Sequence, residues 1–289
     1  MASMRDIKRR KGSIQSTQQI TKAMKLVSTV KLQRARQNAE RSADYFSCMY
    51  ETVSSILAMT TGMQHPFLNG GKDGKKAVIV ITSNRGLAGG YNSNIVKLVT
   101  GAFDPEDTVI YAAGKKGRDA LHRKGYTIAS DASDIMEEPA YADAMALSSK
   151  LLNSFAQGEI SEIYLAYTKF KNTVSHIPTL RKLLPVVLEE EENEGNGEAK
   201  ETAAAPMNFE MEEEAALEML IPKYVTSQIY GGLVEAVASE NGARMQAMDS
   251  ATSNAEEMIE DLTLMYNRAR QGSITQELTE IIAGAGAIS

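Results

Sequence analysis

Leu233–Ala269, LVEAVASENGARMQAMDSATSNAEEMIEDLTLMYNRA, is the stretch whose reading decides the fold. Along it Leu233, Val237, Arg244, Met248, Ala251, Ala255, Met258, Leu262, Met265 and Ala269 follow steps of mostly three and four. That spacing lays residues on one stripe of a helix and repeats as a coiled-coil seam. The prolines are Pro66, Pro105, Pro139, Pro178, Pro185, Pro206 and Pro222, all in the middle of the chain. Proline inside a helix costs about 3 kcal/mol, so both proline-free ends can be very long helices. Gly12, Gly231, Gly232 and Gly242 weaken these helices locally without ending them.

The first helix carries a matching stripe: Ile7, Ile14, Ile20, Met24, Val27 and Val30, then Tyr45, Met49, Val53, Ile56 and Met59. Its charge is one-sided. Residues 1–36 hold Arg5, Lys8, Arg9, Arg10, Lys11, Lys22, Lys25, Lys31, Arg34 and Arg36 against the single acid Asp6. The last helix answers with Glu235, Glu240, Asp249, Glu256, Glu257, Glu260 and Asp261 against Arg244. A basic helix and an acidic one, joined by a long connection, pair most simply as an antiparallel coiled coil. A basic, acid-poor start also fits an organelle presequence, but its continuous helical pattern favours a structural element. A polar-faced bundle of short helices is the alternative, and the Gly and Pro punctuation it needs is missing.

The middle alternates strand and helix. Ala77–Thr82, Thr108–Ala113 and Glu162–Lys169 read as strands, Asn94–Gly101, Lys116–Lys124 and Tyr141–Ala156 as helices, and Ser175–Val187 as an extended hairpin partner. The expected fold class is therefore α/β plus a long antiparallel coiled coil: N- and C-terminal helices paired, with an inserted small Rossmann-like α/β domain. The expected division is 1–65 for the N-terminal coiled-coil helix, 66–208 for the α/β domain and 209–289 for the C-terminal helix. An acidic, Gly- and Ala-containing loop at 189–205 falls within the second.

Composition narrows the chemistry. Aromatic residues make up 6% of the chain and Trp is absent, so aromatic-lined pockets are scarce. Cys48 is the one cysteine, which rules out an internal disulfide and points to an intracellular protein. No apolar run reaches the roughly 18 residues of a membrane span. The loop Ser83–Asn92, SNRGLAGGYN, stands between a strand and a helix, where phosphate-binding turns lie. Counting from Gly86, however, the third place is Ala88 and the sixth Tyr91, which breaks the dinucleotide spacing, and Gly74-Lys75-Lys76 breaks the Lys-Ser/Thr pattern. A structural turn whose glycines allow positive φ is the competing reading. His65, His122 and His176 have no metal-ligand spacing with Cys48. Ser83 lacks the glycines of a nucleophile elbow. The N-terminal basic stripe has no interleaved aromatics, which argues against nucleic acid.

Several motifs carry a family resemblance over nearly the whole chain. Ile7–Lys31, centred on QQITKAMKLV at Gln18–Val27, resembles the start of ATP synthase gamma subunits, and Ser83–Asn92 resembles that family's internal loop, with Ala88 where Cys is often expected. Ile274–Ala285, ITQELTEIIAGA, is similar to its C-terminal signature, and Ala243–Met248 fits too. Residues 189–205 are the least family-like part. The resemblance implies a non-catalytic rotor shaft that needs no cofactor. Its coiled coil would stand in a ring of alpha and beta subunits, and its α/β domain would meet epsilon and the membrane c ring. The location implied is the cytoplasmic side of a bacterial cell membrane, peripheral and reached only through the c ring. Torque contacts with beta would fall to Lys22, Met24, Arg244, Arg270, Gln271 and Thr275, and the foot to Phe209 and Glu210. Two rivals remain: a cytoplasmic coiled-coil adaptor, and a nucleotide-binding α/β enzyme.

Overall fold

The computed structural model describes residues 3–59, 66–69, 74–186 and 213–286. Phe209, Glu210, His65 and the acidic loop 189–205 lie outside the described residues. The chain divides into two units, Lys31–Ala243 and Met1–Val30 with Arg244–Ser289. Helices α1 (Met4–Met59) and α6 (Glu213–Gly286) contribute to both.

The first unit holds a five-stranded sheet ordered β3-β2-β1-β4-β5. Its elements are α2 (Pro66–Asn69), β1 (Lys75–Ile81), α3 (Tyr91–Ala102), β2 (Thr108–Ala113), α4 (Lys115–Arg123), β3 (Thr127–Asp131), α5 (Tyr141–Ala156), β4 (Ile160–Phe170) and β5 (His176–Leu184). β1 pairs in parallel with β2 and β4, β2 in parallel with β3, and β5 closes the edge antiparallel to β4. Residues 77–81 of β1, AVIVI, are fully buried because both sheet faces are covered, which is why a parallel strand reads as an unbroken apolar run. Val78 and Val80 face α3 and α4 with Ile95, Val99 and Leu121. Ala77, Ile79 and Ile81 face α5 and the lower parts of α1 and α6, meeting Leu147, Leu151, Val53, Ile56, Leu217, Ile221, Val225 and Leu233.

β3 lies outside the elements the sequence pattern marks. In TIASD only Thr127 and Ile128 favour a strand, and alternate residues of this edge strand are solvent-exposed, so its existence rests on pairing with β2 rather than on local pattern. Pro222 lies inside α6, which runs nine residues before it. Pro222 has no N–H for the Glu218 carbonyl, and the helix is held through it by burial of Leu217, Ile221 and Val225, with the Thr226 hydroxyl donating to the Pro222 carbonyl at 2.8 Å.

The second unit is an antiparallel coiled coil of residues 4–30 with 244–286. Ser3 starts α1: its hydroxyl accepts the Asp6 amide at 3.3 Å and bonds the Asp6 carboxylate at 2.9 Å, which satisfies one of the helix's orphan donors. Along α1 the less exposed Met4, Ile7, Lys11, Ile14, Gln18, Thr21, Lys25 and Ser28 alternate by three and four, with Met24 half-buried beside Lys25. On α6 Met248, Thr252, Ala255, Ile259, Leu262, Tyr266, Ala269 and Ser273 again follow steps of four and three, with Ala251 and Thr263 half-buried beside them. This heptad repeat is the seam. Ile7, Ile14, Met248, Ala255, Leu262 and Ala269 therefore sit where the sequence pattern put them. Ile20, Val27, Val30, Met258 and Met265 do not: each is about half exposed, and Thr21, Ser28, Ile259 and Tyr266 take their places.

Candidate functional site

Two places could carry function: the crevice where nucleotide-binding sheets hold ligands, and the surface of the coiled coil. In a doubly wound sheet the ligand crevice lies beyond the carboxyl ends of the strands where their order reverses, here between β1 and β4. That position is filled by α6. A side chain at Gly232 would stand 2.9 Å from Leu165 Cδ2 and 3.6 Å from Ile81 Cδ1. Above it the Tyr91 hydroxyl donates to the Ala236 carbonyl at 3.2 Å, and the Ser239 hydroxyl donates to the Thr168 carbonyl at 3.0 Å.

Side-chain bonds tie the loop after β1 to itself and to its neighbours. The Ser83 amide donates to Asn92 Oδ1 at 2.9 Å, the Lys115 amide donates to Asn84 Oδ1 at 3.1 Å, and Asn84 Nδ2 donates to the Ser133 carbonyl at 2.7 Å. A phosphate cradle needs such amides free. Of the loop's glycines only Gly89 uses positive φ, at 56°. Leu87, at 64°, adopts it without being glycine. A cavity of about 400 Å³ lies beside the sheet edge, lined by Arg118, Asp119, His122, Arg123 and Ile128. Its Arg118 is held by Asp119 at 2.8 Å and Asp131 at 2.5 Å, so its charge is neutralised internally. Among the described residues no three His, Cys, Asp or Glu converge as metal ligands.

The coiled coil has the opposite character. Cross-helix bonds join Gln18 Nε2 to Glu256 Oε1 at 3.0 Å, the Thr21 and Thr252 hydroxyls at 2.8 Å, and Lys25 Nζ to Asp249 at 2.5 Å. Each step up α1 matches an equal step down α6. Extending that register puts Met4 level with Arg270. Gln271–Gly286 then continues α6 for about 24 Å beyond the end of α1, at 1.5 Å per residue. Apolar residues face outward along the pair: Ile20, Leu26, Val27 and Val30 on α1, and Met258, Leu264, Met265, Ile274, Leu278, Ile281 and Ile282 on α6, with exposures of 48–68%. At 100° per residue, Ile20, Val27 and Val30 point away from the seam. An apolar surface of this extent marks contact with other chains.

The residues singled out from sequence fall at three levels. Lys22 is exposed and Met24 half-buried, level with Thr252 and Ser250. Arg244 is half-buried and level with Val30, about 9–12 Å along the axis from the first pair. Arg270, Gln271 and Thr275 are exposed about 30 Å further up, the Thr275 hydroxyl bonding the Gln271 carbonyl at 2.9 Å. The structure thus brings Lys22 to Met24, and Arg270 to Gln271 and Thr275, but does not gather all six. Sequence reading missed the outward stripe. Two apolar or small-residue phases compete on α1, and only the partners Lys25–Asp249 and Thr21–Thr252 tell which one is the seam.

A doubly wound platform with its ligand crevice occupied by its own helix, and an antiparallel coiled coil with apolar residues outside, define a shaft-type subunit of a larger assembly. The sequence matches the family described as ATP synthase over residues 3–288. It is 62% identical to the ATP synthase gamma chain of Lachnoclostridium phytofermentans, over the full length of both chains. In fold it is similar to chains in two Euglena gracilis structures at 18% identity. One, titled mitochondrial ATP synthase rotor, has a TM-score of 0.65 and covers 94% of this chain and 98% of that one. The other, titled OSCP/F1/c-ring, has a TM-score of 0.66 and covers 99% and 94%. The chain belongs to the ATP synthase gamma-chain family.

Proposed function

We propose that this chain is the rotating central stalk of an F-type ATP synthase, carrying torque between the membrane c ring and the catalytic ring of alpha and beta subunits. The observation that carries the reading is the outward apolar stripe on a helix pair that cannot bury it with its own residues. A helix pair has no three-fold symmetry. Inside a three-fold ring it touches each beta subunit differently, so turning it biases each catalytic site among its conformations in sequence. The chain itself is non-catalytic in this reading, which the filled crevice and self-bonded loop support. Residues 1–65 and 209–289 form the shaft and 66–208 the platform. Epsilon and the c ring meet the platform and the foot at Phe209 and Glu210, and the subunit sits peripherally on the cytoplasmic side of a bacterial membrane.

Lys22, Met24, Arg244, Arg270, Gln271 and Thr275 are the proposed contacts with beta. The exposed polar group Arg270, Gln271 and Thr275 grips, and the apolar end beyond it runs as a bearing. Co-purification with alpha and beta subunits, and loss of coupled synthesis from complexes lacking the chain, test the assignment as a whole. Within it, replacing Arg270 and Gln271 by Ala lowers ATP turnover more than deleting Ala283–Ser289. A deletion that proves the more damaging overturns the grip-and-bearing division.

A further inference from the structure

His176 opens β5 at the tip of the β4–β5 hairpin, paired across it with Phe170. The turn between them is tight: Asn172 Oδ1 accepts the amides of Val174 and Ser175 at 2.9 and 2.7 Å. The imidazole leans on the Phe170 ring, centroids 6.0 Å apart, and faces Gly242 of α6. A side chain at Gly242 would stand 2.7 Å from its Cε1 and 3.2 Å from its Nε2, so glycine at that place is what lets the ring in. Both ring nitrogens are shut off from solvent without a hydrogen-bond partner among the described residues. Leaving two polar atoms unpaired costs free energy, and such a group in a native fold calls for an explanation.

Two further bonds tie the same hairpin end to the same stretch of helix: Ser239 Oγ to the Thr168 carbonyl at 3.0 Å, and the Phe170 amide to Glu235 Oε2 at 3.3 Å. The three contacts span the last turns of α6 within this unit, which ends at Ala243. The ionisable residues on the segments that meet here are Lys169 and Lys171 beside the turn and Glu235 and Glu240 on α6, with Arg244 two residues past Gly242 in sequence. Glu235 already holds the Phe170 amide. The neutral ring fits this seat. A charged one does not, since imidazolium carries two donors and both would be unsolvated.

We propose that His176 is a positioning residue, a proton-sensitive wedge whose neutral ring seats on Gly242 and clamps the β4–β5 hairpin end to α6, and whose protonation releases that clamp. Burial pushes the imidazole below its ordinary value, against a weaker opposing pull from the Thr173 backbone, which approaches without hydrogen-bond geometry. The sign follows. A histidine depressed in the docked state binds protons mainly when undocked, so the clamp is at full strength above about pH 6.5 and weakens as pH falls below it. The wedge rests on no assignment of partners.

Hydrogen exchange of the full-length chain, corrected for intrinsic rates, decides it. Between pH 7.5 and 5.5 the opening of residues 168–177 should rise measurably, by at most about tenfold. In His176→Phe, which keeps a ring in the seat but cannot be protonated, it should not rise. Gly242→Ala, which crowds the ring out, should exchange at the acid-opened level at both pH values. A flat wild-type response, an equal rise in His176→Phe, or wild-type behaviour in Gly242→Ala overturns the proposal. If the phenylalanine variant fails to fold, Gly242→Ala alone decides.

Discussion

In the sheet unit the apolar residues point inward and are covered by the chain's own helices. In the coiled coil much of the apolar surface points outward, and the seam is partly polar. Ile79, Ile163 and Leu165 are almost wholly buried, whereas Ile20, Val27 and Leu264 are more than half exposed at similar hydrophobicity. Sealed on both faces, the sheet unit is stabilised by its own burial. The pair of helices has a seam that includes Thr21, Ser28 and Thr252, small or hydroxylated residues that fix register more than they drive association. One region is a finished core, and the other is half of an interface whose remainder belongs to other chains.

The largest effect that should separate the two regions is Leu165→Ala, about 2–5 kcal/mol of destabilisation from lost burial and a residual cavity beneath α6. Urea unfolding of the full chain measures it. A cost under about 1 kcal/mol would mean that the sheet's contact with α6 is loose, and the contrast between regions would break.

Glu162→Gln comes next, with about 1.5–3 kcal/mol at neutral pH. Glu162 bonds Lys182 Nζ at 2.6 Å and the Tyr164 hydroxyl at 3.1 Å, and both partners are largely shielded. Burial alone would raise its pKa, but the bonds from Lys182 and Tyr164 outweigh it and hold the carboxyl below its usual range. Tyr164 is correspondingly pushed up to about 12, by burial first and then by Glu162. Because the folded value is depressed, the stabilisation is present above about pH 4.5 and lost as pH falls through the folded value. Acid should therefore narrow the gap between wild type and variant. A gap that stays constant down to pH 3 contradicts the assignment.

In the coiled coil the corresponding change is smaller. Lys25→Ala removes a pair whose side chains are 39% and 56% exposed, so the loss should be below about 1 kcal/mol and should vanish at high salt. Thermal unfolding at low and high ionic strength tests both halves of the statement.

The two regions were also unequally legible in sequence. β2 and α5 match their expected bounds because a buried parallel strand is a continuous apolar run, and α5 follows directly on the proline segment near Pro139. β3 escaped because an exposed edge strand draws its stability from its neighbour. In the coiled coil the helices and their antiparallel pairing were readable from charge and periodicity, but the seam only in part. Hydrophobicity alone assigns Ile20 and Val27 to the inside, on the premise that apolar residues face their own chain. That premise fails for a subunit whose burial is completed by partners. The crevice was half legible: the broken glycine spacing argued against a nucleotide, but only the structure supplies the reason in Gly232 and Asn92.

The smallest expected effect on the chain itself is also the most informative. Ile20, Val27 and Val30 all turn away from the seam and are more than half exposed, so replacing all three by Ser removes none of the seam packing. Exposed substitutions of this kind usually stay within about 0.5 kcal/mol each, with a small helix-propensity change of either sign. The isolated chain should therefore unfold within about 1 kcal/mol of wild type. Had these residues formed the seam, the same triple change would cost several kcal/mol, because each buried aliphatic side chain contributes about 1.5–3 kcal/mol. In the presence of alpha and beta subunits the prediction reverses, since the lost apolar area is then area that a partner would have covered. Co-purification should fall while the free chain remains folded. If instead the triple variant unfolds easily, the seam lies on that face. If it is stable and assembles normally, the outward stripe is not the surface that partners bind.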